Sequence, residues 1–106
     1  MFEYACQVRD VIDGDTVKLN IDLGFRVWMR ATVRLADINA PERGEIPAGP
    51  EATAHLKSLL DGKTELRITT TRFHEFEKYG RVLGLLIADG VNINKQMVTD
   101  GFAQER

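Results

Sequence analysis

The sequence predicts a small α+β domain, mostly β, built as a closed five-stranded barrel carrying two helices. Apolar residues alternate with polar ones in three early runs separated by turn signals. A loop rich in proline and glycine then leads into an apolar stripe at helical spacing, and two further alternating runs and a short helical segment complete the chain. With 106 residues, residues 1–106 are expected to make a single domain and leave little room for a second.

The elements follow in order. Phe2 to Val11 reads as the first strand, and Thr16 to Asp22 as the second, with Val17, Leu19 and Ile21 on one face. After a turn at Asp22-Leu23-Gly24, eleven residues alternate. Phe25, Val27, Met29, Ala31, Val33 and Leu35 face inward, and Arg26, Trp28, Arg30, Thr32 and Arg34 face outward. Asn39 to Gly49 is a loop, because it holds Pro41, Pro47, Gly44 and Gly49; Pro50 suits the first turn of a helix. Ala52, Leu56, Leu59 and Leu60 form the stripe of that helix, and Gly62 stops it. Leu66 to Thr70 and Val82 to Ile87 are the fourth and fifth strands, and Asn92 to Thr99 the second helix.

Composition excludes several classes. The lone Cys6 permits neither an intramolecular disulfide nor a cysteine zinc site, and its place in an alternating run makes it a core thiol. A formal charge of −2 argues against a protein that coats nucleic acid by bulk electrostatics, so any polyanion site must be a local patch. No apolar run reaches the ~20 residues that span a bilayer, and no basic segment followed by an apolar export stretch opens the chain. The chain as given is expected to be cytoplasmic, unless a signal peptide has been removed, with no membrane partner. His55 and His74 lack ligand spacing and read as surface groups.

Oxygen ligands gather at two turns. Asp13 and Asp15 lie in "VIDGDTVKL", between strands one and two. Asp37, Asn39 and Glu42 follow strand three in "VRLADINAPE". If strand two pairs with both neighbours, Asp15, Asn39 and Glu42 converge, as a hard divalent cation such as Ca²⁺ requires. The spacing is not that of an EF-hand, because Lys18 stands where its glycine belongs when counting starts at Asp13. Arg34 projects beside the same turn and Arg81 opens strand five in "EKYGRVLG". Two guanidinium forks opposite a cation would clamp a phosphoryl group, which points to phosphodiester chemistry. Arg26, Trp28 and Arg30 form a candidate nucleic-acid-binding face. Trp28 is either a platform for a nucleobase or a ring packed under arginine stems.

Taken in order, "VIDGDTVKL", "VRLADINAPE", "GPEATAHLKSLL", "EKYGRVLGLL" and "NINKQMVTDGFA" resemble the staphylococcal nuclease (thermonuclease) family, from about Val8 to Ala103. The resemblance implies an OB-fold barrel and a calcium-dependent nuclease that cuts DNA and RNA without sequence preference and leaves 3'-phosphates. It places the calcium carboxylate on Asp15, with Asp13 supporting it, and the phosphate-binding arginines on Arg34 and Arg81. Glu42 takes the part of the base that activates water, and Tyr79 the edge of the nucleotide pocket. The family's second calcium carboxylate is replaced by Asn39, and Ala40 retains only the backbone carbonyl as a ligand. One Ca²⁺ ion is therefore expected to bind more weakly, with Mg²⁺ or Mn²⁺ as alternatives. The competing expectation is a catalytically impaired module that binds nucleic acid or a protein. The resemblance ends before the C-terminal third helix of the best-known members, which suggests a homodimer or a larger parent protein.

Overall fold

The computed structural model describes residues 2–70 and 80–106. Its elements are β1 (Phe2–Asp13), β2 (Thr16–Asp22), β3 (Trp28–Leu35), β4 (Ile38–Asn39), α1 (Ala48–Leu60), β5 (Leu66–Thr70), β6 (Val82–Ala88), β7 (Val91–Asn92), α2 (Ile93–Thr99) and β8 (Gln104–Glu105). The hydrogen-bonded order β3-β2-β1-β5-β6 returns to β3 through a β3–β6 pairing, which closes the expected five-stranded OB-fold-like barrel. The short strands β4, β7 and β8 carry no alternation long enough to read from sequence, and they pair as β4–β8 and β6–β7.

Closure depends on two strands. β1 is long enough to serve both halves of the barrel: Phe2 to Ala5 pair with β5, and Cys6 to Asp13 pair with β2. Register shifts between Val8 and Asp10 and between Val11 and Asp13 bend it across. The β3–β6 seam is parallel, with Val33 opposite Val82, Arg34 opposite Leu83 and Leu35 opposite Gly84. Gly84 allows close packing there, since a Cβ at this position would meet Ile68 Cδ1 at 2.7 Å.

Inward side chains fill the barrel. Val17, Leu19, Val33, Leu35, Leu56, Ile68, Leu86, Ile93 and Met97 are fully buried, and Cys6 is a buried free thiol as expected. Burial pushes that thiol up to about 11, so it stays protonated and unreactive. α1 packs on β1 and α2 on β6. The α1 stripe of Ala52, Leu56 and Leu60 faces the core, although the helix starts at Ala48, two residues before Pro50. His55 does more than sit on the surface. Its Nε2 lies 2.7 Å from Asp100 Oδ2, and its ring stacks on Phe102 at 4.0 Å, which ties α1 to the turn after α2. Among the described residues no helix is long and apolar enough to cross a membrane.

Strand three is shorter than the alternation implies. Phe25 and Arg26 take φ values of 53° and 63°, the left-handed region, so they belong to the β2–β3 turn and the strand begins at Trp28. Two residues of turn geometry break the inward parity. Phe25 is completely exposed and Val27 is half-exposed.

Candidate functional site

The site is built where β2 starts and β3 ends. Thr16 pairs with Arg34 across the β2–β3 ladder, and the Leu35 N–H donates to the Asp15 carbonyl at 2.8 Å. Asp13 Oδ1 accepts the Asp15 N–H at 3.2 Å, which folds the turn locally. Neither Gly14 nor Asp15 takes a left-handed φ. Gly14 is needed for space, because a Cβ there would stand 2.7 Å from Ala40 Cβ and 2.8 Å from Ala52 Cβ.

Asp15 is buried, and both of its carboxylate oxygens are engaged. Oδ1 accepts from Thr16 Oγ1 at 3.0 Å. Oδ2 accepts from the Ala40 N–H at 2.8 Å and lies 3.3 Å from Arg34 Nη2 in an ion pair. Arg34 is itself buried and donates from Nη1 to the Leu35 carbonyl at 2.8 Å and from Nη2 to Asn39 Oδ1 at 3.3 Å. Arg34 thus gathers Asp15 and Asn39 around one guanidinium. Among the described residues no acceptor meets its Nε–H. Burial first, and then hydrogen bonding and repulsion from Asp15, push the Asp13 carboxyl up to about 6.

The second arginine precedes the parallel seam: Arg81 comes immediately before Val82, which pairs with Val33. Arg34 lies opposite Leu83, and Val82, Gly84 and Leu86 are buried, so Leu83 shares the outer face with Arg34. Arg81 is two residues from Leu83, roughly 7 Å along the strand. Glu42 sits apart from the pair, exposed on the loop after Ala40. Its N–H donates to Glu45 Oε2 at 2.8 Å, and no contact joins its carboxylate to Asp15 or Arg34 among the described residues. Tyr79 lies outside the described residues.

On the outer face of β3, Trp28, Arg30, Thr32 and Arg34 run from the hairpin tip into the site, and exposure falls along that line. Arg26 belongs to the turn beyond it. Sequence reasoning missed Arg43 and Asn94. Arg43 Nη2 donates to the Val11 carbonyl at 3.0 Å and pins the loop carrying Glu42 onto β1. Buried Asn94 accepts the Leu86 N–H at 3.1 Å and donates to the carbonyls of Ala36 at 3.0 Å and Gly84 at 3.2 Å. It therefore straps α2 to the strand ends that carry the site. Nothing local in "NINK" signals this, since the partners are supplied by the barrel.

Calcium takes six to eight oxygen ligands at about 2.3 to 2.6 Å. The residues as arranged do not fit it. Asp15 is the one buried carboxylate beside Arg34, its oxygens are occupied by N–H and O–H donors, and Ala40 turns its N–H toward Asp15. No group of three or more His, Cys, Asp or Glu side chains suited to a metal gathers among the described residues. What the arrangement does offer is a buried, internally balanced ion pair where β2 starts and β3 ends.

A family model described as staphylococcal nuclease homologue matches residues 32–106. The chain is 34% identical to a micrococcal nuclease of Shigella flexneri, over 95% of this chain and 58% of that protein. It is 33% identical to an uncharacterized protein of Bacillus anthracis, over 91% of this chain and 44% of that one. A probable staphylococcal-like nuclease of Oryza sativa is 35% identical over 67% of this chain and 20% of its own length. The chain thus spans about half or less of most of these relatives. With its barrel topology, the ordered sequence blocks and these matches, the chain belongs to the staphylococcal nuclease family.

Proposed function

We propose that this domain is a nucleic-acid-binding OB-fold module of the staphylococcal nuclease family in which phosphodiester hydrolysis is impaired. The observation that carries the reading is the engagement of Asp15 by Arg34, with the neutral Asn39 completing the group. An internal guanidinium supplies the positive charge that balances the buried carboxylate, which leaves little net attraction for a divalent cation. Arg81, next to the seam that Arg34 flanks, suits a phosphate oxygen through charge-assisted hydrogen bonds that need no metal.

The retained residues favour a second reading, a metal-dependent and sequence-non-specific nuclease leaving 3'-phosphates. The resemblance in sequence would put Arg34, Glu42 and Arg81 at the family's functional positions, and the Shigella flexneri relative is named a nuclease. In that reading Glu42 takes a proton from the attacking water, and the arginines bear the charge developing on the phosphoryl oxygens. A divalent cation, Ca²⁺ or else Mg²⁺ or Mn²⁺, would supply further charge stabilisation when bound.

Binding and cleavage of labelled DNA and RNA separate the two, measured with each cation and with EDTA across a salt series. Metal-independent binding that weakens with salt, without cleavage under any condition, supports the module. Cation-dependent cleavage abolished by Glu42→Gln establishes the nuclease instead.

A further inference from the structure

The β2–β3 hairpin ends in an aromatic and basic tip that the barrel does not use. Phe25 is 100% exposed and Trp28 49% exposed, with Leu23 and Val27 beside them. The tip is a defined loop. Gly24 N–H donates to Asp22 Oδ1, Val27 N–H to the Gly24 carbonyl and Leu23 N–H to the Val27 carbonyl, each at 2.9 Å. Left-handed φ at Phe25 and Arg26 is a conformation that bulky side chains seldom adopt, and here it turns a large apolar ring entirely into solvent.

This tip is continuous with the arginine seam. Trp28, Arg30, Thr32 and Arg34 share one face of β3, and their ladder partners on β2 are Asp22, Asn20, Lys18 and Thr16. Six residues of strand separate Trp28 from Arg34, roughly 20 Å. The order along this line is aromatic, cationic, polar, cationic. We propose that it is a track for single-stranded nucleic acid, in which unpaired bases stack on Trp28 and Phe25 while Arg30 and Arg26 follow the phosphates away from Arg34.

The proposal rests on the nucleic-acid reading above and adds to it a strand state and a direction. Charge complementarity selects the occupant. A polyanion matches Arg26 and Arg30, and exposed rings have no use for a duplex, whose base faces are already stacked. OB folds cover ~4–16 nucleotides of single strand, so a track of this length needs an oligonucleotide longer than a few nucleotides.

The test is fluorescence anisotropy in EDTA with labelled oligothymidylates of about 3 and 12 nucleotides and a 12-base-pair duplex, lengths that bracket the site. The whole domain is used, with Phe25→Ala, Trp28→Ala and Trp28→Phe alongside the wild type. Each alanine variant should lose on the order of tenfold in affinity for the longer single strand and little for the trimer or duplex. Trp28→Phe should restore most of the loss. Since the chain has one tryptophan, its intrinsic fluorescence should also be quenched by the longer strand. Wild-type binding that neither alanine variant changes overturns the track and spares the nucleic-acid reading, as does an equal loss on duplex. A wild type that binds no oligonucleotide overturns both. Self-association abolished by Phe25→Ala, with oligonucleotide affinity unchanged, reassigns the tip to a second copy of the chain.

Discussion

Arg34 Nη2 lies 3.3 Å from Asp15 Oδ2, and both side chains are less than a tenth exposed. The charge at the centre of the site is therefore balanced by the chain itself. Breaking such a pair leaves one buried charge uncompensated, which costs more than the pair contributes when intact. Arg34→Ala is expected to lower stability by about 3–5 kcal/mol. Replacing both members, as in Asp15→Asn with Arg34→Met, should cost less than the single change at Arg34. Urea unfolding of the two single variants and the double variant measures the difference.

Asn39 meets the same guanidinium without adding charge. Asn39→Asp puts a second carboxylate beside Asp15 and Arg34. Calcium affinity read by titration calorimetry should rise by at least about tenfold, because affinity follows ligand charge. An unchanged affinity would remove residue 39 from any cation shell.

Asn94 makes two buried hydrogen bonds and one partly buried one at the closing seam. Asn94→Ala strands the Leu86 N–H and the Ala36 carbonyl, which should cost about 2–4 kcal/mol. Asn94→Asp keeps the acceptor but loses both donors, so it should be at least as damaging. Thermal melts read both. Hydrogen exchange at β3 and β6 should rise in both variants, since the lost bonds anchor those strand ends.

Asp13 gives stability a pH dependence of unusual sign. Its carboxyl is raised to about 6, chiefly by burial and then by Asp15, so the folded chain holds a proton that the unfolded chain releases near pH 4. In that window the native state binds more protons, and this contribution to stability falls as pH rises from about 4 to about 6. Asp13→Asn cannot titrate and should show a flatter profile there. The comparison is the urea midpoint of each protein at closely spaced pH values.

Gly14 is a test of close packing rather than of turn geometry. Gly14→Ala would push a methyl against Ala40 and Ala52, at an expected cost of about 1–3 kcal/mol. If stability is unchanged, the turn does not rest on α1 as described.

Much of the barrel was legible because local periodicity carries it. β2, β5 and β6 announce themselves by alternation, and α1 by Ala52, Leu56 and Leu60 one turn apart. Phe25 was misplaced for the same reason. Alternation assigns a face only while the backbone stays extended, and two left-handed residues end that assignment at the turn.

The sequence by itself determined the family, the five barrel strands, both helices and the identity of Asp15, Arg34 and Asn39 at the site. Tertiary structure alone decided how those groups pair. Asp15 and Arg34 become partners because β2 and β3 align their ends, and the chain at Arg81 enters beside the end of β3 because β3 and β6 close the barrel in parallel. Asn94 finds its acceptors, and Gly14 its neighbours, only once the helices have docked. Hydrogen bonds and charges act over a few ångströms of space, and no periodicity along the chain records which distant residues folding will bring within that reach.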